Sequence, residues 1–515
     1  MDIEKSLLIP SHDSQQGSCA CGRVASPPCR QCERDCSRFT HNARLARRTK
    51  FAAASILAFL GILAVLVCMC RSGSLGVYRG LWDNANRRKT KTPDLGLPDS
   101  FMKRWAQYAP WMPAEAYTAP PSGCSVTQVN LIQRHGGRFP TASSGKEFRA
   151  AVEKLLMVEK YKADELEFLN DFAYDMGEED LIPFGAAQSY DSAIVDYHRY
   201  SHLVGKQELP FVRSSSGQRV VDTATNWTAG FAHASRKKIQ PSVTVILSEE
   251  GNNTLDAGMC PNAGDGSKQS DEWLSIFAPP ITARLNKAAP GANLTDDDTL
   301  SLMSMCPFHT IVEQRPSPFC SLFTEEEFND YEYHNDLDKF YGTGHGAYLG
   351  RVQGVGYVNE LLARLTNKPV HDHTQTNRTL DSSPFTFPLN RTFYADFSHD
   401  NEMNAIYSTI GLFQQHLLPD AMLNPRVRNP LRTYILSRIV PFSARMVVER
   451  VQCEFGDGER KGEGGPFVRV VVNDAVMPLE FCDGVHGMCT LEKFVESQKY
   501  ARENGQGDFE KCFES

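Results

Sequence analysis

The run Gln133-Arg134-His135-Gly136-Gly137-Arg138-Phe139-Pro140-Thr141 carries the side chains best suited to chemistry in this 515-residue chain. Two guanidinium forks, whose geometry matches phosphate oxygens, flank a histidine that can serve as a nitrogen nucleophile. The glycines between them remove side-chain bulk. A second charged corner, Phe397-Ser398-His399-Asp400-Asn401, supplies another imidazole and a carboxyl group. A carboxylic acid beside a phosphate site can protonate a departing oxygen.

Both corners need elements that bring them together. Val126 to Ile132 is a partly apolar run that reads as a buried strand. Ser143 and Ser144 can start a helix whose Phe148, Val152, Leu155 and Leu156 keep helical spacing. Thr392 to Phe397 reads as another strand, and Met403, Ile406, Tyr407 and Ile410 follow at helical spacing. Each corner thus lies where a strand ends and a helix begins, where backbone N–H groups can meet an anion. In a parallel α/β sheet such corners share one edge, so the two can converge. Helical periodicity also fills Val152 to Val204, and Val243 to Leu247 reads as a strand. Met446 to Phe455 and Phe467 to Val472 read as a hairpin around the Gly-rich stretch Gly456 to Gly465. The chain has no internal repeat, no P-loop, no Gly-x-Gly-x-x-Gly and no His-Glu-x-x-His.

Composition divides the chain. Residues 1–50 carry nine Lys/Arg against five Asp/Glu, while residues 71–515 carry 45 against 57. An acidic body argues against a nucleic-acid partner. Phe51 to Cys70 contains no charge and as a helix spans roughly 30 Å, about one bilayer core. A fifty-residue leader and the lack of an Ala-x-Ala-like site after the run favour a signal anchor over a cleaved signal peptide. Arg44, Arg47, Arg48 and Lys50 place the N-terminus in the cytosol. The sequons at Asn226, Asn252, Asn293, Asn377 and Asn390 all follow the anchor, which suits a glycosylated lumenal or external body. The expected plan is a cytosolic Cys-rich basic tail (1–50), a transmembrane anchor (51–70), a stalk (71–99) and a body (100–515). Arg87-Arg88-Lys89 leaves the stalk open to processing and shedding, and Glu4-Lys5-Ser6-Leu7-Leu8-Ile9 resembles an acidic dileucine signal. A vacuolar, endosomal or cell-surface address fits these features.

Of fifteen cysteines, five lie in the tail, two in the anchor and eight in the body. The tail spacings are compatible with zinc, but their Ser/Pro-containing context suits lipidatable thiols better. Eight cysteines in an oxidising compartment imply four disulfides, with about a hundred pairings open on spacing alone.

The pattern Arg-His-Gly-x-Arg-x-Pro, joined to the distant His-Asp pair, resembles the signature of the histidine acid phosphatases. Trp105-Ala106-Gln107-Tyr108, Asp180 to Gly185, Pro210 to Ser215, Asn253 to Asp256, Gly354 to Tyr357 and Thr379 to Pro384 resemble segments of fungal phytases. The likeness runs from about residue 100 to the C-terminus. It implies an α/β core of the phosphoglycerate mutase-like type with an inserted helical domain within about 145–385, here joined to one transmembrane helix. It implies His135 as the nucleophile and Asp400 as the proton donor. Arg134, Arg138, Arg213 and His399 become phosphate clamps, and Gln107, Tyr108 and Asn401 further substrate-binding residues. It also implies the pairs Cys124–Cys453, Cys260–Cys512, Cys306–Cys320 and Cys482–Cys489. No metal or cofactor is implied, and the body is expected to be a monomer acting on phytate or other phosphate monoesters.

Two departures bear on substrate. Gly137 and Phe139 stand where the family usually has Ala and Tyr. Asp338-Lys339-Phe340-Tyr341-Gly342 has one lysine where close phytases have two adjacent. A broad-specificity acid phosphatase and an inactive inositol-phosphate-binding glycoprotein are the alternatives. A phosphoglycerate-mutase-type transferase fits poorly with a lumenal, disulfide-bonded body.

Overall fold

The computed structural model describes residues 91–454 and 465–514. The expected tail, the expected anchor at 51–70 and most of the expected stalk lie outside the described residues. Among the described residues, no helix is long and apolar enough to cross a membrane.

Eight strands form one sheet, in the spatial order β3-β2-β4-β1-β5-β6-β7, with β8 paired to β6. The strands are β1 (Cys124–Arg134), β2 (Phe211–Ser215), β3 (Val243–Leu247), β4 (Phe393–Ser398), β5 (Arg445–Cys453), β6 (Gly465–Val472), β7 (Ala475–Val476) and β8 (Met488–Thr490). The β3-β2-β4-β1 half is parallel, and β5 to β8 add an antiparallel flank. Helices α1 (Ala142–Leu156), α2 (Pro183–Tyr200) and α3 (Gln218–Ala234) follow β1 and β2. A helical layer then runs α4 (Ser267–Ala288), α5 (Asp296–Glu313), α6 (Glu325–Gly342) and α7 (Val355–Thr366) before β4, which leads into α8 (Asp400–Ile410).

Strands β2 and β4 are buried on both faces, as helices on each side of a parallel sheet require, whereas the edge strand β3 alternates and exposes Thr244 and Ile246. On one face Val129, Leu131, Phe393, Ala395 and Phe397 pack with Trp227 and Phe231 of α3 and Ala193 of α2. On the other, Ile132, Tyr394 and Met446 join Met403 and Ile406 of α8 and the helical layer. Each fully buried large side chain contributes roughly 1.5–3 kcal/mol. Gln133, buried inside β1, bonds Ser189 and Ser192 of α2. Thr295 and Thr324 start α5 and α6 with capping boxes, which fix where the helical layer begins.

Several expectations change. Strands β2 and β3 fall within the 145–385 span and belong to the sheet, and the helical layer α4 to α7 follows them inside that span. Helix α1 is capped by Thr141, whose hydroxyl accepts from the Ser144 amide, and not by Ser143 or Ser144. The body reaches back into the expected stalk. The Lys91 and Thr92 amides and the Thr92 hydroxyl all bond the Asp191 carboxylate, Lys91 Nζ sits 3.5 Å over the Tyr190 ring, and Leu95 is buried. All four expected disulfides are formed, and Cys124–Cys453 ties together the paired ends of β1 and β5.

Candidate active site

Strands β1, β4 and β2 are parallel neighbours, and each ends at the same edge of the sheet. Arg134 pairs in register with Ser398, and the His135 amide donates to the Ser398 carbonyl at 3.0 Å. The corner after β1 and the corner after β4 are thereby stitched side by side. The rings of His135 and His399 meet edge to face, with centroids 5.6 Å apart.

The loop after β1 is packed backbone against backbone on the first turn of α2. A methyl on Gly136 would meet the Gly185 carbonyl at 2.3 Å, and one on Gly185 would meet the Gly137 carbonyl at 2.0 Å. Only glycine fits either place. The loop amides do not face an open anion site as the sequence suggested: Gly136 donates to Thr223 and Gly137 to Gln188. Binding of an anion falls to side chains instead.

His135 Nδ1 lies 2.9 Å from the Gly136 carbonyl. A carbonyl only accepts, so Nδ1 carries the proton and Nε2 keeps its lone pair. Burial, then Arg134, Arg138, His399 and Arg219, hold the imidazole well below its ordinary pKa. Charged groups of one sign and a desolvated site both disfavour the imidazolium.

Arg134 is fixed by the carbonyls of Gln107 and Val440 and stacks on Phe442. Its Nη2 faces Asp400 Oδ2 at 3.3 Å. Arg138 donates to the Phe139 carbonyl, and burial lowers its pKa to about 10. Both guanidiniums keep a buried nitrogen without a hydrogen-bond partner, Nε of Arg134 and Nε of Arg138. Buried donors without acceptors are costly, and an anion in the site would satisfy them.

Arg213 is not at this edge. It lies within β2, where its fork binds Glu360 at 2.6 and 3.0 Å and Asp396 at 2.8 and 3.3 Å. With Arg364 it neutralises a buried acidic cluster in the core. Alternation along a fully buried strand sends a mid-strand side chain into a packing layer, not past the strand end. Its expected place is taken by Arg219, in the first turn of α3, which acts electrostatically on His135, Arg134 and Arg138. Arg219 is braced by Glu179 at 2.8 Å and keeps an unpartnered, buried Nε. The hydroxyl-rich turn Ser214-Ser215-Ser216-Gly217 before it was the available signal.

Asp400 and Asn401 open α8, with His399 at its N-cap. Burial raises the Asp400 carboxyl, but Arg134, Lys339, His135 and Arg138 outweigh it and hold the group well below the usual carboxylate range. These cations therefore hold Asp400 as the carboxylate. Asn401 accepts from Lys339 Nζ at 2.7 Å, and Lys339 lies 3.7 Å from Asp400. Gln107 reaches the site through its carbonyl, while its amide donates to Asn335. Tyr108 packs on Phe308 and Phe442 beside the arginines. Lys339, the single lysine the sequence flagged as bearing on substrate, joins the ring of charge with Glu249 and Asp256, which were not expected in the site.

A loop–helix histidine between arginines, faced by a second histidine and a carboxyl group on a parallel α/β sheet, is an arrangement for handling phosphate esters. The model of the histidine phosphatase superfamily (branch 2) matches residues 125–473. Phytase A of Aspergillus fumigatus is 38% identical over 453 residues, covering 84% of this chain and 95% of the relative. Phytase A of Emericella nidulans is 40% identical over 429 residues, covering 79% and 90%. The crystal structure of the phytase from D. castellii superposes with a TM-score of 0.66 at 26% identity, covering 81% of this chain and 88% of that one. The chain belongs to the histidine phosphatase superfamily, branch 2, as a histidine acid phosphatase similar to the Phytase A enzymes.

Proposed function

We propose that this chain hydrolyses phosphate monoesters, phytate among them, through a phosphohistidine at His135. The observation that carries the reading is the neutral His135 ring, with Nδ1 tied to the Gly136 carbonyl and Nε2 free to bond phosphorus among three guanidiniums. Arg134, Arg138 and Arg219 neutralise the phosphoryl oxygens, which is the main task of a phosphoryl-transfer site. His135 Nε2 forms the N–P bond as the ester P–O bond breaks, and Asp400 gives its proton to the leaving alkoxide. Water then attacks phosphorus, Asp400 takes its proton, and the N–P bond breaks to release phosphate.

The ionised Asp400 fits this scheme once charge is counted. A phosphate monoester carries about 1.5 to 2 negative charges at pH 7, its second pKa being near 6. Bound among the cations, it offsets their hold on Asp400, and a monoanionic ester at acidic pH carries a proton with it. Acidic working pH follows.

The same reading places the body outside the cytosol as a monomer on a single-pass anchor at residues 51–70. Its support is the exposed asparagine of three sequons (Asn252, Asn293 and Asn390), with Asn226 and Asn377 half-buried, and the four disulfides. The test of function is phosphate release at acidic pH from phytate and from a simple aryl phosphate, with His135→Ala beside the parent. Release that His135→Ala abolishes is expected. A folded parent that releases none from either substrate overturns the reading in favour of a binding protein.

A further inference from the structure

His399 does not stand alone at the site. Its Nε2 lies 2.9 Å from Glu249 Oε1, and Asp256 Oδ1 is 3.9 Å away. Glu249 follows β3 in a stretch where the sequence shows no periodicity, yet it is held tightly. Ser215 Oγ donates to the same Oε1 at 2.7 Å and the Gly217 amide at 2.8 Å, while the Glu249 amide donates to Ser216. Ser215 is held in turn by Asn253. A methyl on Gly217 would sit 2.8 Å from Glu249 Oε1 and 3.4 Å from the His399 ring, so the turn before α3 closes over the pair.

Resting on the functional reading above, we propose that Glu249 is the positioning residue of His399, fixing which ring nitrogen carries its proton and setting an anion against the ring where it meets phosphate. A carboxylate only accepts, so Nε2 must be the protonated nitrogen in every charge state of the ring. The hydrogen bond from His399 above all, then those from Ser215 and Gly217, offset burial and draw the Glu249 carboxyl down to about 2. It is therefore anionic throughout the acidic range.

The charges around His399 set what this anion does. His135 faces it from the corner after β1, and Arg219 bears on His135 and Asp256 from α3. Asp400 follows it in the chain, and Asp256 faces it from the loop after Glu249, with Glu402 behind. Glu249 is the nearest of these anions to the ring at 2.9 Å, and Asp256 is farther off at 3.9 Å.

The test is the pH profile of phosphate release by the full-length chain and its Glu249→Gln variant. Glutamine keeps an oxygen for Ser215, Gly217 and Nε2–H but removes the charge. The alkaline limb of kcat/KM should move down by about one pH unit or more, the scale of a lost charge partner, with the variant closest to the parent at the acidic end. Asp256→Asn should move it less. Profiles that superpose, or a uniform drop at all pH values in a Glu249→Gln protein with parental circular dichroism, overturn the assignment while leaving His135 chemistry standing. A folded parent without activity overturns both.

Discussion

Arg134 Nη2 and Asp400 Oδ2 lie 3.3 Å apart, joining the last residue of β1 to the first turn of α8. On the proposed mechanism this contact joins the phosphate-binding part of the site to the part that handles protons. Arg134 depresses Asp400, and a bound phosphate dianion competes for the same guanidinium. Asp400→Asn should therefore cost little in binding phosphate but much in releasing an alkoxide. Turnover of an alkyl phosphate is expected to fall about 10²–10⁴-fold, and that of an aryl phosphate with an acidic phenol far less. Equal losses on both substrates would remove Asp400 from the role of proton donor.

The two arginines of the β2–α3 region should separate cleanly. Arg219→Ala should lower kcat/KM by about 10²–10³-fold, the usual loss for one preorganised charge donor, with little change in thermal stability. Arg213→Ala should unfold the protein or cost about 3–5 kcal/mol, since it strands Glu360 in the core and leaves Asp396 to Arg364 alone. Activity lost in a fully stable Arg213→Ala would contradict its placement.

Gly136→Ala and Gly185→Ala attack the backbone contact between the catalytic loop and α2. Each should abolish activity, because a contact near 2 Å cannot be relieved without moving His135 or the helix start. Gly205→Ala meets nothing within 4 Å and serves as the control. Kinetics and circular dichroism on the three variants decide the matter.

Acidic pH should favour the fold as well as the chemistry. Burial and Asp336 raise Glu332 to about 8, burial and Glu360 raise Asp381 to about 8, and burial raises Asp336 to about 6. A carboxyl raised in the folded state contributes stability that is present below its unfolded pKa and is lost as pH climbs through the folded value. His334, which burial lowers to about 4, has the opposite sign: its contribution is lost as pH falls from 6.5 to 4 and is constant above. Between pH 6.5 and 8 the carboxyls set the slope, so Tm should fall over that window. Glu332→Gln combined with Asp381→Asn should flatten it. A Tm that rises from pH 6.5 to 8 in the parent would show that these carboxyls do not govern stability there.

The two half-sites were legible because each motif sits just past a hydrophobic run, where strand and corner can be read together. Arg213 misled because spacing from the strand end, not residue type, decides whether an arginine reaches the edge; Arg219, six positions on, has the helical turn it needs. Glu249 and Asp256 come from a stretch without periodicity, so their place depends on β3 lying beside β2. The fate of the Gly136 and Gly137 amides hung on Thr223 and Gln188, which approach only after α2 and α3 pack. Likewise Thr92 and Leu95 looked like stalk because their partners, Asp191 among them, lie far along the chain. An expression boundary at residue 98 would remove that contact, whereas one before Lys91 keeps it.

The most direct test is to trap the phosphoenzyme. Radiolabelled substrate is mixed with excess enzyme at acidic pH, quenched within milliseconds into alkaline denaturant to spare the N–P bond, and the labelled peptide is sequenced by mass spectrometry. Label on His135, absent from His135→Ala and accumulating when water attack is slowed, is the expected result. Full turnover by His135→Ala, or label on another residue, would contradict His135 as the nucleophile.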